Sequence, residues 1–224
     1  MENYRLDKKM LVQDWPAILV LLIMLLAGAI IYPYLPERVP IHWNAAGQVD
    51  NYGSRSFGAF MLPFLTAGLY VLMLVLPLVD PRRENYLKFL GAYRVIRLGL
   101  VLFMAILYGL VLTSALGYYV PMDRVMPALL GLLFLLIGNY LPRVRYNYFV
   151  GIRTPWTLAN EEVWRRTHRL AGIAYVLAGV ISILTAFLAR GTIAFTIVIT
   201  AIILASVLSV IYSLVIFQQS RGLS

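Results

Sequence analysis

Six apolar runs of roughly 18–26 residues, each long enough to cross a bilayer, fill most of this chain and leave short segments between them. In lipid the backbone has no water to bond, so each run must close its hydrogen bonds within itself, which a helix does. The runs fall at about Pro16–Leu35, Phe57–Val79, Val95–Gly117, Val125–Leu141, Leu170–Ala189 and Thr192–Phe217. Of 224 residues, 61% are hydrophobic and 13% charged, and the mean hydropathy is +0.81, which leaves no separate soluble domain of ordinary size. The expected fold is all-α: one polytopic membrane domain of six helices, with short interfacial helices in the loops on one side. Residues 1–80 form an N-terminal two-helix region, 81–124 a connecting helix and 125–217 a second region.

The formal charge of +9 does not point to nucleic acid, because the basic residues flank the apolar runs, where Lys and Arg set topology and meet headgroups. Fifteen of the nineteen lie in the two tails and in the second and fourth connections. The positive-inside rule then places both termini in the cytoplasm of a multi-pass plasma-membrane protein, with residues 36–56 outside and 143–169 inside. Ala27-Gly28-Ala29 resembles a cleavage site, but the run continues through Tyr32, so the first helix is expected to be an uncleaved anchor. The absence of cysteine excludes disulfides and thiolate metal sites.

Catalytic chemistry is sparse. All ten acidic residues lie in tails, loops or helix ends, whereas proton- and cation-coupled transporters carry an ionisable residue at depth. His42 and His168 fall on opposite sides and cannot share a metal, and there is no HExxH, GxSxG or phosphate-cradling glycine loop. No catalytic residue, metal or cofactor is assigned. The second connection places Tyr86, Phe89 and Tyr93 on one helical face, which predicts a short interfacial helix whose basic residues face headgroups. Ala201, Ala205, Ser209 and Ser213, four residues apart, mark the packing face of the last helix.

Two polar segments exceed what a reversal of direction requires. In the first connection, prolines at 36 and 40 oppose helix, and Asn44 to Gly47 and Asp50 to Gly53 supply turns. Between them, His42, Trp43 and Asn44 suit either an interfacial cap or, with Gly47 and Asp50, contact with an extracellular ligand. In the fourth, Asn147, Gly151, Arg153, Thr154, Pro155, Trp156 and Thr157 form an irregular stretch in which Thr154-Pro155 suits a helix start. Asn160 caps a second helix carrying Trp164, Thr167 and His168, with Glu161–Arg165 and Glu162–Arg166 pairs at i, i+4. This segment is expected to cap the cytoplasmic mouth of the bundle and to hold a ligand or partner.

Asn147-x-x-x-Gly151-Ile-Arg-Thr-Pro-Trp-Thr-Leu158, with Val163-Trp164-x-x-Thr167-His168-Arg169-x-x-Gly172, resembles the signature of the SdpI family of bacterial membrane proteins. Pro40-Ile-His-Trp-Asn-x-x-Gly47-x-x-Asp50 resembles a domain of unknown function that often precedes the SdpI part in longer members. The resemblance implies a non-enzymatic immunity protein that protects against a secreted, membrane-active peptide toxin. It also implies signalling, by holding a small transcriptional repressor at the membrane without touching nucleic acid. The competing reading is a transporter or flippase for a lipid-like or peptide substrate.

Overall fold

The computed structural model describes residues 4–221, in which six helices are long and apolar enough to cross a membrane. A short helix, α1 (Lys8–Gln13), starts at Asp7, whose carboxylate accepts the Met10 N–H at 2.7 Å. It turns at Asp14 into the first spanning helix, α2 (Trp15–Ile31). The chain then forms an antiparallel hairpin, β1 (Arg38–Trp43) and β2 (Val49–Ser54), and enters α3 (Arg55–Val79). Asn44–Gly47 turns this hairpin as expected, whereas Asp50–Gly53, expected as a second turn, lies within β2 and pairs with β1; the two-stranded sheet is the one departure from an otherwise helical architecture among the described residues. Helices α4 (Leu90–Ala115) and α5 (Met122–Tyr140) follow. A short α6 (Pro155–Ala159) leads to α7 (Glu161–Leu188) and α8 (Gly191–Arg221).

Two packing groups result. Helices α2, α3 and α4 carry the hairpin on one end, and α5, α7 and α8 form the second group. The α5–α7 pairing depends on glycines spaced by seven on each helix. A Cβ at Gly138 would lie 2.7 Å from the Val176 nitrogen and 2.8 Å from the Gly172 carbonyl oxygen, and one at Gly179 would lie 2.8 Å from the Gly131 carbonyl oxygen. Between lipid-embedded helices there is little hydrophobic drive, so dispersion across closely approaching backbones has to hold the pair. The small-residue face of α8 is buried at Ala205, Ser209 and Ser213, as its spacing predicts.

The second connection departs from its expected role as a headgroup-facing signal. A 3₁₀ segment, Arg83–Phe89, carries Tyr86 and Phe89 into an aromatic cluster with Tyr4, Tyr93 and Trp164. Tyr86 and Tyr93 stack edge-on with centroids 5.4 Å apart, and both are fully enclosed. The aromatic face legible in the sequence therefore packs inward onto protein. Helix α4 also begins at Leu90, five residues before the apolar run. Its first turns tolerate Arg94 and Arg97 because both find acceptors at the α1–α2 junction, Arg94 on Gln13 and Asp14 and Arg97 on Asp14.

Two outcomes test this arrangement. Gly138→Ala should lower thermal stability in detergent by about 1–3 kcal/mol, as overpacking does. At Gly109, by contrast, a Cβ meets nothing within 4 Å, so Gly109→Ala should be neutral or slightly stabilising. Because the chain has no cysteine, single cysteines at the exposed positions Gln48 and Arg145 report sidedness directly. An impermeant maleimide should label Gln48→Cys on intact cells and Arg145→Cys only after permeabilisation; the reverse pattern inverts the topology.

Candidate functional site

At the end of the bundle that carries α1 and the end of α8, residues 144–160 fold onto the start of α7 and onto the α3–α4 connection. Asn147 organises this knot. Its carbonyl oxygen accepts the N–H groups of Phe149 at 2.8 Å and Val150 at 2.7 Å, and its amide donates to the carbonyls of Arg145 and Val150. The buried Asp80, just beyond α3, accepts the Tyr148 N–H at 2.9 Å, the Tyr86 hydroxyl at 3.0 Å and the Arg82 N–H at 2.8 Å. The Tyr86 hydroxyl lies between the two, 3.2 Å from the Asn147 oxygen. Asn85 donates to the Tyr146 carbonyl at 2.8 Å, and the Arg82 guanidinium lies 3.5 Å from the Tyr146 ring centroid. Two loops 60 residues apart in sequence thus share one hydrogen-bonded core.

The motif residues around Gly151 follow from the same packing. Gly151 adopts φ +117, a backbone region that disfavours side chains, and its own Cβ would stand 2.3 Å from His168 Nε2. His168 Nδ1 lies 2.8 Å from the Trp164 carbonyl, while Nε2 lies 3.1 Å from the Ile152 nitrogen. These partners assign the neutral tautomer, with Nδ1–H donating to the carbonyl and Nε2 accepting the amide proton. Both nitrogens are engaged, so the ring serves as a structural crosslink. Trp164 stacks on it with centroids 4.0 Å apart and donates its indole N–H to the Val144 carbonyl at 2.9 Å.

Thr154 and Thr157 form the reciprocal cap that starts α6, with Pro155 at its first position, and the Thr154 hydroxyl also meets Ser213 of α8 at 3.1 Å. Asn160 caps α7 through the N–H groups of Glu162 and Val163. Among the described residues the ion pair formed here is Glu162–Arg165 at i, i+3 and 2.6 Å, in place of the two expected i, i+4 pairs. Asn147, Thr154, Thr157, Trp164, Thr167 and His168 are therefore buried, Gly151 is partly so, and Arg153, Pro155 and the half-buried Trp156 are the motif residues a partner can reach. Exposed arginines 145, 165, 166 and 169 lie at the same end.

At the opposite end the hairpin lies across the bundle. Asn44 closes its turn: the side-chain oxygen accepts the Ala46 and Gln48 N–H groups, each at 3.0 Å, and the main-chain oxygen accepts that of Gly47. Gly47, at φ +79, fits against the first turn of α5, where a Cβ would lie 2.8 Å from the Asp123 nitrogen. Val39 is fully buried against Gly58 of α3. His42 and Asp50 pair across the strands at 2.5 Å, exposed to solvent.

Trp43 points into the bundle between two cavities. One, of about 300 Å³, is lined by His42, Phe57, Met61, Leu107, Met122 and Met126. The other, of about 170 Å³, lies between the hairpin, α5 and α8, among Asn44, Gly47, Met126 and Phe195. Three flexible methionines give these walls the adaptability of a site that accepts varied apolar shapes. The sequence singled out Trp43, but the methionines come from α3 and α5, where nothing distinguishes them from lipid-facing residues.

The fold is that of a polytopic α-helical membrane protein with a hairpin cap at one end and a polar knot at the other. Residues 143–215 match the SdpI/YfhL protein family, and residues 19–67 match a domain of unknown function, DUF1648, so the chain carries an SdpI-family domain. The first match contains most of the knot, the second the whole hairpin. The chain is 28% identical over 183 residues to the immunity protein SdpI of Bacillus subtilis (strain 168), covering 81% of this chain and 86% of that protein. No solved structure matches.

Asn147→Ala should leave two amide protons without acceptors in a buried site, at about 1–3 kcal/mol each. A marked fall in melting temperature, with Arg153→Ala close to wild type, is the expected result in detergent-solubilised protein.

Proposed function

We propose that this chain is a non-enzymatic immunity protein of the plasma membrane that intercepts a secreted, membrane-active peptide at the hairpin end. The observation that carries the reading is the pair of methionine-walled apolar cavities on either side of Trp43. A peptide that partitions into the bilayer presents apolar side chains at this depth, and a half-open apolar cleft beneath a hairpin suits them. The similarity over most of the chain to a protein named for immunity supports the same reading. The turn residues Asn44 and Gly47 hold the hairpin over the cavities, and the exposed His42–Asp50 pair forms its polar rim.

At the other end, Arg153, Pro155 and Trp156, with the surrounding arginines, form a basic and aromatic surface facing the cytoplasm. This surface suits an acidic face on a small repressor, held at the membrane once peptide is bound. The hairpin touches both helix groups, so filling the cavities shifts the seam between α4 and α5 that the knot spans at its far end.

The test is survival. Expression in a sensitive host should raise tolerance to at least one secreted peptide in a panel, and Trp43→Ala should abolish most of that protection without lowering the amount of protein in the membrane. Trp156→Ala should leave protection intact and weaken retention of the repressor. Unchanged sensitivity across the panel would refute the reading.

A further inference from the structure

Arg97 lies in the second turn of α4, 1% exposed, within a segment long and apolar enough to span the membrane. A charged side chain there is costly unless it is paired or serves a function. Its partner is Asp14, itself 5% exposed, which also receives Arg94 Nε at 3.2 Å and the Tyr70 hydroxyl at 3.2 Å. Two guanidinium groups therefore share a single carboxylate; Arg97 Nη1 has no hydrogen-bond partner among the described residues, and its guanidinium lies 5.3 Å from the Tyr93 and 5.7 Å from the Tyr70 ring centroid. The cluster therefore carries one formal positive charge in excess, with the partly exposed Arg94 as its outer member.

Beside this cluster is a cavity of about 300 Å³, lined by Gln13, Asp14, Pro16, Gly91, Arg94 and Arg97 among others. Its volume far exceeds the roughly 10–15 Å³ that one water requires. A Cβ at Gly91 would meet nothing within 4 Å, so this wall is open. Trp15, 62% exposed at the adjacent start of α2, marks the headgroup depth of the bilayer. The cavity thus has a polar wall of Gln13, Arg94 and the ion-paired Asp14, with the enclosed Arg97 behind it, at the level of lipid phosphates, and an apolar wall of Pro16, Ala17, Val95 and Leu98.

The geometry points to an anion site at the α2–α4 cleft, in which the partly exposed Arg94 holds the phosphate of an anionic lipid in the leaflet on the side of α1, and the enclosed Arg97 adds its charge from behind. The planar guanidinium fork suits phosphate oxygens, and the apolar wall receives the glycerol and upper acyl chain. Bound phosphate supplies the missing countercharge while Asp14 remains paired. The bound lipid would brace α1 and α2 against α4, independently of whatever occupies the hairpin end.

The test compares the purified full chain in nanodiscs of phosphatidylcholine alone, of phosphatidylcholine with phosphatidylglycerol, and of phosphatidylcholine with inorganic phosphate added. Phosphatidylglycerol is expected to raise the melting temperature and to remain bound in native mass spectrometry. Arg94→Gln should weaken that retention roughly tenfold, the loss of one charge-assisted contact. Gly91→Leu, which fills the open wall without touching the ion pair, should abolish it while melting like wild type in phosphatidylcholine. A full response to inorganic phosphate and none to phosphatidylglycerol would keep the anion site but overturn the lipid as its occupant. No response to either, or wild-type retention in both variants, would overturn the site itself.

Discussion

The hydrogen-bonded contact of Asp80, Tyr86 and Asn147 underlies the rest of the structure. A carboxylate and a carboxamide buried at the end of a membrane bundle each cost several kcal/mol unless every polar atom is met. Here they are met by one another's loops: Asp80 takes the Tyr148 amide, Asn147 takes those of Phe149 and Val150, and Tyr86 stands between them. Neither loop can leave without stranding groups on both. This contact binds the two helix groups at the end that carries α1 and holds Gly151 where His168 can close the knot.

The opposite end is built on another principle. The hairpin is fixed at its base, by Val39 on Gly58, and at its tip, by Gly47 on α5, but the span between rests over cavities. Glycine-tight packing between α5 and α7 leaves no slack within that helix pair, whereas methionine walls beneath the hairpin can re-form around a guest. Rigidity at one end and adaptability at the other agree with the proposed capture of an apolar peptide at the hairpin.

Much of this was legible in residue order. The turn at Asn44–Gly47, the helix starts at Thr154-Pro155 and Asn160, and the small face of α8 all rest on local chemistry, and each is found where spacing placed it. The candidate site was read less completely. Asn147, Trp164 and His168 stood out as polar and aromatic residues among apolar ones, but the sequence does not say that they would spend those groups on each other. The partners of Asn147 in the second connection were hidden, because an aromatic face beside arginines also fits a headgroup interface.

By itself the sequence determined the class, the number of spanning helices and which segments were too polar to be mere connectors, because the bilayer imposes its rules residue by residue: apolar length, helical hydrogen bonding and positive flanks. Only the tertiary structure decided that the second and fourth connections are one knot, that Arg97 and Asp14 are buried together, and that Trp43 divides a methionine-walled space. Those outcomes depend on which distant groups satisfy one another's hydrogen bonds and charges, and no local pattern encodes a partner 60 or 80 residues away.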